Sequence, residues 1–176
     1  MSNISSNIEK LKLSDSVELY DFILSNSERL KKYFPVTLSS NSTVEKTTQY
    51  IVTKNREIEE HSNFTFAIRD EKSILIGLMI LKKIDWAKKS GEFAYCIGAN
   101  YEGKGYTSKA VNEMMQFAFN ELKLKTLQII AHKSNVGSCK VAENCGFTWK
   151  RTLLNEFTPT DETPLDMELY ELEYER

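Results

Sequence analysis

Proline, glycine and cysteine are all scarce in this chain of 176 residues, which holds three, seven and three of them. Without a cluster of proline or glycine there is no linker or low-complexity tract at which to divide the chain, so one domain over 1–176 is expected. At that length roughly 70% of the unfolded surface can be buried. The cysteines, Cys96, Cys139 and Cys145, are odd in number and lack paired spacing. That argues against a disulfide framework or a zinc site, and for free thiols in a reducing cytosol. Long apolar runs are missing too. The longest, ILIGLMIL at 74–81, is far short of the roughly 20 residues that cross a bilayer. The amino terminus, MSNISSNIEK, has neither the basic start nor the apolar stretch of a secretory signal. Nor does one sign of charge dominate: 23 Lys and Arg are interspersed with 25 Asp and Glu, so no footprint for nucleic acid or an anionic membrane is visible. What remains is a cytoplasmic, metal-free globule acting on a small molecule or a protein.

What is present is periodicity. From Ser14, the residues Val17, Tyr20, Ile23 and Leu24 follow helical spacing, and Leu30, Tyr33 and Phe34 repeat it until Pro35 stops the chain, which predicts two short helices. Ser42 and Glu45 have capping-box spacing ahead of a weakly amphipathic helix, marked by Val44, Ile51, Val52 and Ile58 and ending near His61. Its many polar residues suggest an outer position. The period then falls to two, with Phe64, Phe66 and Ile68 before the turn residues Asp70 to Ser73. Together with 74–81, where Gly77 is a candidate bulge, and with 91–98, this predicts an antiparallel meander. Ala110, Met114, Ala118 and Leu122, flanked by Val111 and Met115, form the stripe of a helix over 106–122. TLQIIA at 126–131 reads as a strand. Asn135 can cap a second helix that Gly146 ends, with Phe147 placed for the usual apolar contact. Residues 147–154 and 166–174 read as further strands. Strands separated by one helix should be parallel with a right-handed crossover, so the sheet is mixed.

Two of the seven glycines stand one residue apart in ANYEGKGYTSKA, residues 99–110. Glycine is needed where φ is positive or where another group approaches the backbone closely. The loop Gly103 to Gly105 falls between the carboxyl end of a strand and the start of a helix, where unpaired N–H groups and the helix dipole favour an anion. A phosphate is the candidate; an ordinary tight turn is the other reading. The remaining residues of a P-loop and the third glycine of a dinucleotide fingerprint are both absent, so a different diphosphate is called for.

The stretch GEFAYCIGANYEGKGYTSKAV, continued by FAFNELKLKTLQI and NVGSCKVAENCGF, resembles the GNAT superfamily of N-acetyltransferases, and within it the RimJ/RimL type that acetylates ribosomal-protein amino termini. The segment LYDFILSNSERLKKYFP is similar to that type's helix pair, so the resemblance covers nearly the whole chain. It implies an α/β layered GNAT fold: a mixed central sheet of six to seven strands flanked by helices, with a V-shaped cleft for acetyl-CoA and no metal. It further implies that backbone groups of Cys96, Ile97 and Gly98 meet the pantetheine. Amides of Gly103, Lys104, Gly105, Tyr106 and Thr107 would meet the diphosphate, and Asn135 would contact the pantetheine as well as capping its helix. Two positions depart from the superfamily pattern. Glu102 stands where Gln or Arg is usual and is expected to point outward, and Thr107 stands where Gly or Ala is usual.

Moving acetyl from a thioester to an amine requires removal of an ammonium proton, stabilisation of the carbonyl oxygen, and a proton or hydrogen bond for the departing sulfur. Many superfamily members use a tyrosine for the last task where this chain has Ala142. The RimJ/RimL type implies a serine in the same helix, which Ser138 matches by spacing; a serine bonding its own helical turn is the other reading. For the base, Glu92 matches the strand glutamate of the family pattern and Glu156 lies near a second one. Solvated carboxylates with water-relayed deprotonation would also suffice. His132 reads as surface polar and Cys96 as a small buried thiol. The expected acceptor is a protein amino terminus. Small amines, polyamine or aminoglycoside, are the runner-up, a catalytically silent CoA-binding module is the third reading, and a homodimer is left open.

Overall fold

The computed structural model describes residues 7–175. Residues 1–6, part of the stretch read above for a secretory signal, lie outside it, as does Arg176. Seven strands form one sheet in the order β1-β2-β3-β4-β5-β7-β6. Three of them, β2 (Phe64–Arg69), β3 (Leu75–Asp85) and β4 (Ser90–Ile97), make the expected antiparallel meander. After the crossover helix, β5 (Thr126–Ala131) runs parallel to β4. The carboxyl-terminal β7 (Leu165–Glu173) inserts between β5 and β6 (Thr148–Phe157), so the last strand is interior and β6 is the edge. On β7, Met167, Leu169 and Tyr170 are buried accordingly.

Both faces of the sheet are covered. Helices α1 (Ser16–Ser25) and α4 (Val44–Glu59) bury Leu19, Ile23 and Ile51 against Leu75, Leu78 and Cys96. On the other face α5 (Tyr106–Gln116) and α6 (Val136–Asn144) cover Met79, Phe93 and Ile129 with Ala110, Val111, Met114 and Ala142. The predicted stripe on α5 is therefore the one that packs, although the helix changes to a single wider π turn over Phe117–Glu121. Gly146, at φ +87°, ends α6 by letting the N–H groups of Gly146 and Phe147 reach back to Glu143 and Ala142, with Phe147 buried beneath.

Four expectations need correction. Pro35 does not stop the chain: it opens α3 (Pro35–Ser40), where its missing N–H costs nothing in the first turn. The cap of α4 is Thr43, whose hydroxyl accepts from Lys46 N–H, not Ser42. One face of α4 is core, since Thr47 and Ile51 have no exposed surface. Gly77 is not itself the extra residue: the register runs Ile68 opposite Gly77 and Arg69 opposite Leu75, which makes Ile76 the bulged position. A Cβ on Gly77 would stand 2.3 Å from the Cys96 carbonyl oxygen, so close backbone approach explains that glycine.

A short strand, β1 (Ile8–Lys10), extends the sheet beyond β2 and has no strong signal in its three residues. It is held from the side by Arg69. That guanidinium meets Glu9 and Asp15 at 2.8 Å each, lies 3.6 Å from Glu18, and donates to the Ser73 carbonyl. Asp15 also accepts from Lys12 N–H, and Glu18 from Leu75 N–H. One buried cation thus ties together four segments. Removing a single partner from a buried ionic group costs about 3–5 kcal/mol. Arg69→Met should lower stability by an amount of that order in urea unfolding, and a loss no greater than that of an exposed Lys→Met change would show the cluster to be dispensable.

Candidate active site

The sheet opens where β4 and β5 part. Their parallel pairing extends from Ser90 opposite Thr126 to Phe93 opposite Ile129 and stops, while β4 continues to Ile97 beside β3. Gly98 N–H donates to the Ile76 carbonyl at 2.8 Å, which sets the alternation of the antiparallel ladder: Ala94, Cys96 and Gly98 turn their main-chain groups toward β3. Tyr95 and Ile97 turn theirs to the opposite side, where β5 has already left. Of the three pantetheine positions expected on this strand, Ile97 is therefore the one whose N–H and C=O face the gap. Gly98 is engaged at both ends, since its carbonyl also accepts from Tyr101 N–H. Tyr95 was missed, though the two-residue period of the strand carries it along with Ile97.

Tyr95 also bridges the opening. Its hydroxyl donates to the Ser138 carbonyl at 3.0 Å, joining β4 to the first turn of α6, and burial pushes the phenol well above its ordinary pKa. Asn135 caps that turn by accepting from Ser138 N–H at 3.3 Å. Ala142, deeper in the same helix, is fully buried in the core and offers no hydroxyl. Burial likewise raises the Cys96 thiol to about 12, as expected for a packed thiol rather than a reactive one.

The paired glycines take left-handed backbone, Gly103 at φ +69° and Gly105 at φ +86°, and a Cβ at either would meet nothing. Positive φ rather than crowding is what demands glycine here. Gly105 is the residue that precedes α5, so the amides of Tyr106 and Thr107 begin the helix without intrahelical acceptors. Tyr106 is fixed on both sides: its carbonyl accepts from the Asn7 side chain and its hydroxyl donates to Glu71, which pushes the phenol up to about 12. Glu102 pairs with Arg29 of α2 (Ser27–Leu30), so its charge is matched before any anion arrives. Lys104, Gly105 and Tyr106 border a recess of about 130 Å³.

Beside the gap lies a cavity of about 930 Å³. It gathers Glu92 of β4, Asn135 and Ser138 at the start of α6, and Glu156 of β6, with His132 also in its lining. Glu92 is only 7% exposed and its two oxygens lie 3.3 Å from Lys82 Nζ and 2.9 Å from Lys83 Nζ. It is an ion-paired carboxylate rather than a solvated one. Glu156 is exposed and makes no ion pair among the described residues. It is brought to the cavity by a register break between Leu153 and Phe157, where Asn155 sits at φ +53° with its N–H on Asp166. Tyr50 of α4 also lines the cavity, 7% exposed, with its buried hydroxyl beside the Thr37 side chain. No group of three or more metal-ligating side chains occurs among the described residues, and no helix there is long and apolar enough to cross a membrane.

A family profile described as an acetyltransferase (GNAT) domain matches residues 7–148. Over 142 residues the chain is 30% identical to YdaF of Bacillus subtilis (strain 168), provisionally named a ribosomal N-acetyltransferase, across 80% of this chain and 76% of that one. Over 103 residues it is 28% identical to the spermidine N(1)-acetyltransferase of Vibrio cholerae, a match covering 58% of this chain and only 60% of that protein's length. Among solved structures, the ribosomal-protein-S5-alanine acetyltransferase from Vibrio fischeri superposes with a TM-score of 0.86 at 21% identity, covering 94% and 91% of the two chains. The microcin C7 self-immunity acetyltransferase MccE, in complex with acetyl-CoA and AMP, gives 0.85 at 22%, covering 95% and 91%. At these identities the superpositions speak for the fold.

Proposed function

The chain belongs to the GNAT acetyltransferase family and is therefore an acyltransferase with acetyl-CoA as cosubstrate, and we propose that its acceptor is the amino terminus of a protein or peptide. The observation that carries the cofactor's placement is the gap beyond Phe93, where main-chain groups of Tyr95 and Ile97 have no strand to pair with. An extended pantetheine would complete that edge, and the amides from Gly103 to Thr107 would hold the diphosphate at the start of α5. The cavity beyond is large enough to take the end of a peptide. Relatives of both kinds exist: YdaF supports the peptide reading and the spermidine enzyme supports a small-amine one, which is the second reading. The silent-module reading loses one of its supports, since Glu102 is neutralised by Arg29.

The cosubstrate supplies a thioester. Within the cavity the acceptor nitrogen bonds to the acetyl carbon, the carbon–sulfur bond breaks, and the sulfur takes a proton or hydrogen bond from the Ser138 hydroxyl. Glu156 is the carboxylate free to take the ammonium proton directly or through water. Glu92 would first have to give up two lysines.

Three outcomes test this reading. A β-branched residue at φ +86° costs roughly 1–2 kcal/mol in left-handed backbone, so Gly105→Val should weaken acetyl-CoA binding by about tenfold or more while unfolding stays cooperative. Unchanged affinity in titration calorimetry would remove the diphosphate from this loop. Ser138→Ala should lower kcat by about a hundredfold or less, the low end for loss of a general acid, with acetyl-CoA affinity little changed. A normal kcat would return Ser138 to capping geometry alone. Glu156→Gln should slow transfer most near neutral pH and least above pH ~9, because an α-amine of pKa about 8 is then already free; a pH profile identical to wild type would exclude it as the base.

A further inference from the structure

Successive side chains of a strand point to opposite faces, yet Lys82 and Lys83 both reach the same carboxylate, Glu92, on the neighbouring strand. Lys82 does so by direct register opposite Glu92. Lys83 does so because its backbone is left-handed, φ +49°, at the register break between Lys82 and Asp85. Among the described residues seven non-glycine positions have positive φ, and His61, Ser73, Lys89, Lys123 and Asp161 lie in turns between elements, where that conformation is ordinary. Only Lys83 and Asn155 lie within strands. Both adjoin the cavity, which Lys83 lines directly and Asn155 serves by re-aiming Glu156. Strained backbone held at two edges of one cavity points to what that cavity must bind.

Its charge is polarised. On the β3 and α4 side, two lysines share one carboxylate, leaving a positive charge in excess, and Lys46 adds another whose ammonium donates to the Ser42 hydroxyl and makes no ion pair among the described residues. Lys54 is matched by Glu57. Lys46, Tyr50 and Lys54 recur every four residues along α4 and so line one stripe facing the cavity. On the β6 side stands one carboxylate, Glu156, that makes no ion pair among the described residues.

We propose that the acceptor carries an anionic group close to its amine, in the form of an acidic side chain within the first residues of a peptide, and that Lys82 and Lys83 recognise it. The amine then lies toward Glu156 and Ser138 and the carboxylate toward the lysines. A polyamine, cationic along its whole length, meets the wrong wall. This rests on the peptide reading of the acceptor but is separable from it by measuring binding and turnover independently.

The test uses the wild-type chain with three amidated peptides, Ser-Glu-Glu-Ala, Ser-Gln-Gln-Ala and Ser-Lys-Lys-Ala, and with spermidine. Dissociation constants to the CoA complex are read by calorimetry and kcat/KM by thiol release. One charge-assisted contact corresponds to roughly ten- to hundredfold. The glutamate peptide should therefore bind about tenfold tighter than the glutamine peptide, with the lysine peptide and spermidine weaker still, and the spread should shrink at high salt. Lys83→Gln, at a side chain 63% exposed, should bring the glutamate-to-glutamine ratio close to one. Equal binding of all peptides, preference for spermidine, or a ratio unmoved in Lys83→Gln would overturn the inference. Tight acidic-peptide binding without acetyl release would uphold it while removing peptide acetylation as the function.

Discussion

The early end of one parallel strand pair organises the rest of this molecule. Had β4 and β5 stayed paired to their ends, Tyr95 and Ile97 would spend their main-chain groups on Ile130 and its neighbours, and the sheet would close. Instead β5 follows β7 from Thr126 to Ala131 while β4 follows β3 to Ile97. Backbone groups in a partly buried edge are expensive to leave unmade, so a gap of this kind favours an extended ligand with amides of its own. The same end of the sheet carries the two helix starts, Gly105 before α5 and Asn135 before α6. Strand ends, helix dipoles and open amides converge there for the topological reason that a parallel pair delivers both following helices to one side.

Much of this was legible because it rests on short-range rules. The period of two in 64–68, the short apolar run of 74–81, the stripe from Ala110 to Ala118 and the Gly146 helix end depend on residues within one turn or one strand of each other. The glycine pair was legible as a demand for unusual backbone, and positive φ at both positions meets it. Pro35 shows how a local rule can be read in the wrong direction: proline excludes itself from helix interiors but suits a first turn, and nothing nearby says which applies. The strand β1 depended on partners far away in sequence, Ile68 and the Arg69 cluster.

The candidate site was legible to a different degree. Asn135, Ser138, Glu92 and Glu156 do share one cavity. The state of each was hidden, however, because it is decided across strands. Glu92 looked like a solvated carboxylate until Lys82 was placed opposite it and a left-handed Lys83 brought a second cation. Tyr50 gave no signal at all, because its place in the cavity wall depends on α4 packing over Cys96 and Leu78. Side-chain direction in regular strands follows from alternation, and it fails wherever the register breaks.

Those breaks bear on how acceptors are chosen within one fold. In the proposed placement acetyl-CoA is held by the backbone of strand edges and helix starts, which constrain side chains little. The proposed acceptor side is built from side chains on α4, β3 and β6, away from that backbone edge. Relatives named for ribosomal proteins and for spermidine can therefore share a sheet at high TM-score and low identity. Left-handed backbone at Lys83 costs roughly 1–2 kcal/mol, a noticeable share of the about 5–15 kcal/mol that holds a domain together, and less at Asn155 because asparagine tolerates that region. Strain of that size in strand interiors persists when what it positions matters more than the stability it removes. Here it positions one ammonium and one carboxylate in the lining of a single cavity, and in the reading proposed above that charge arrangement, rather than the fold, distinguishes one amine from another.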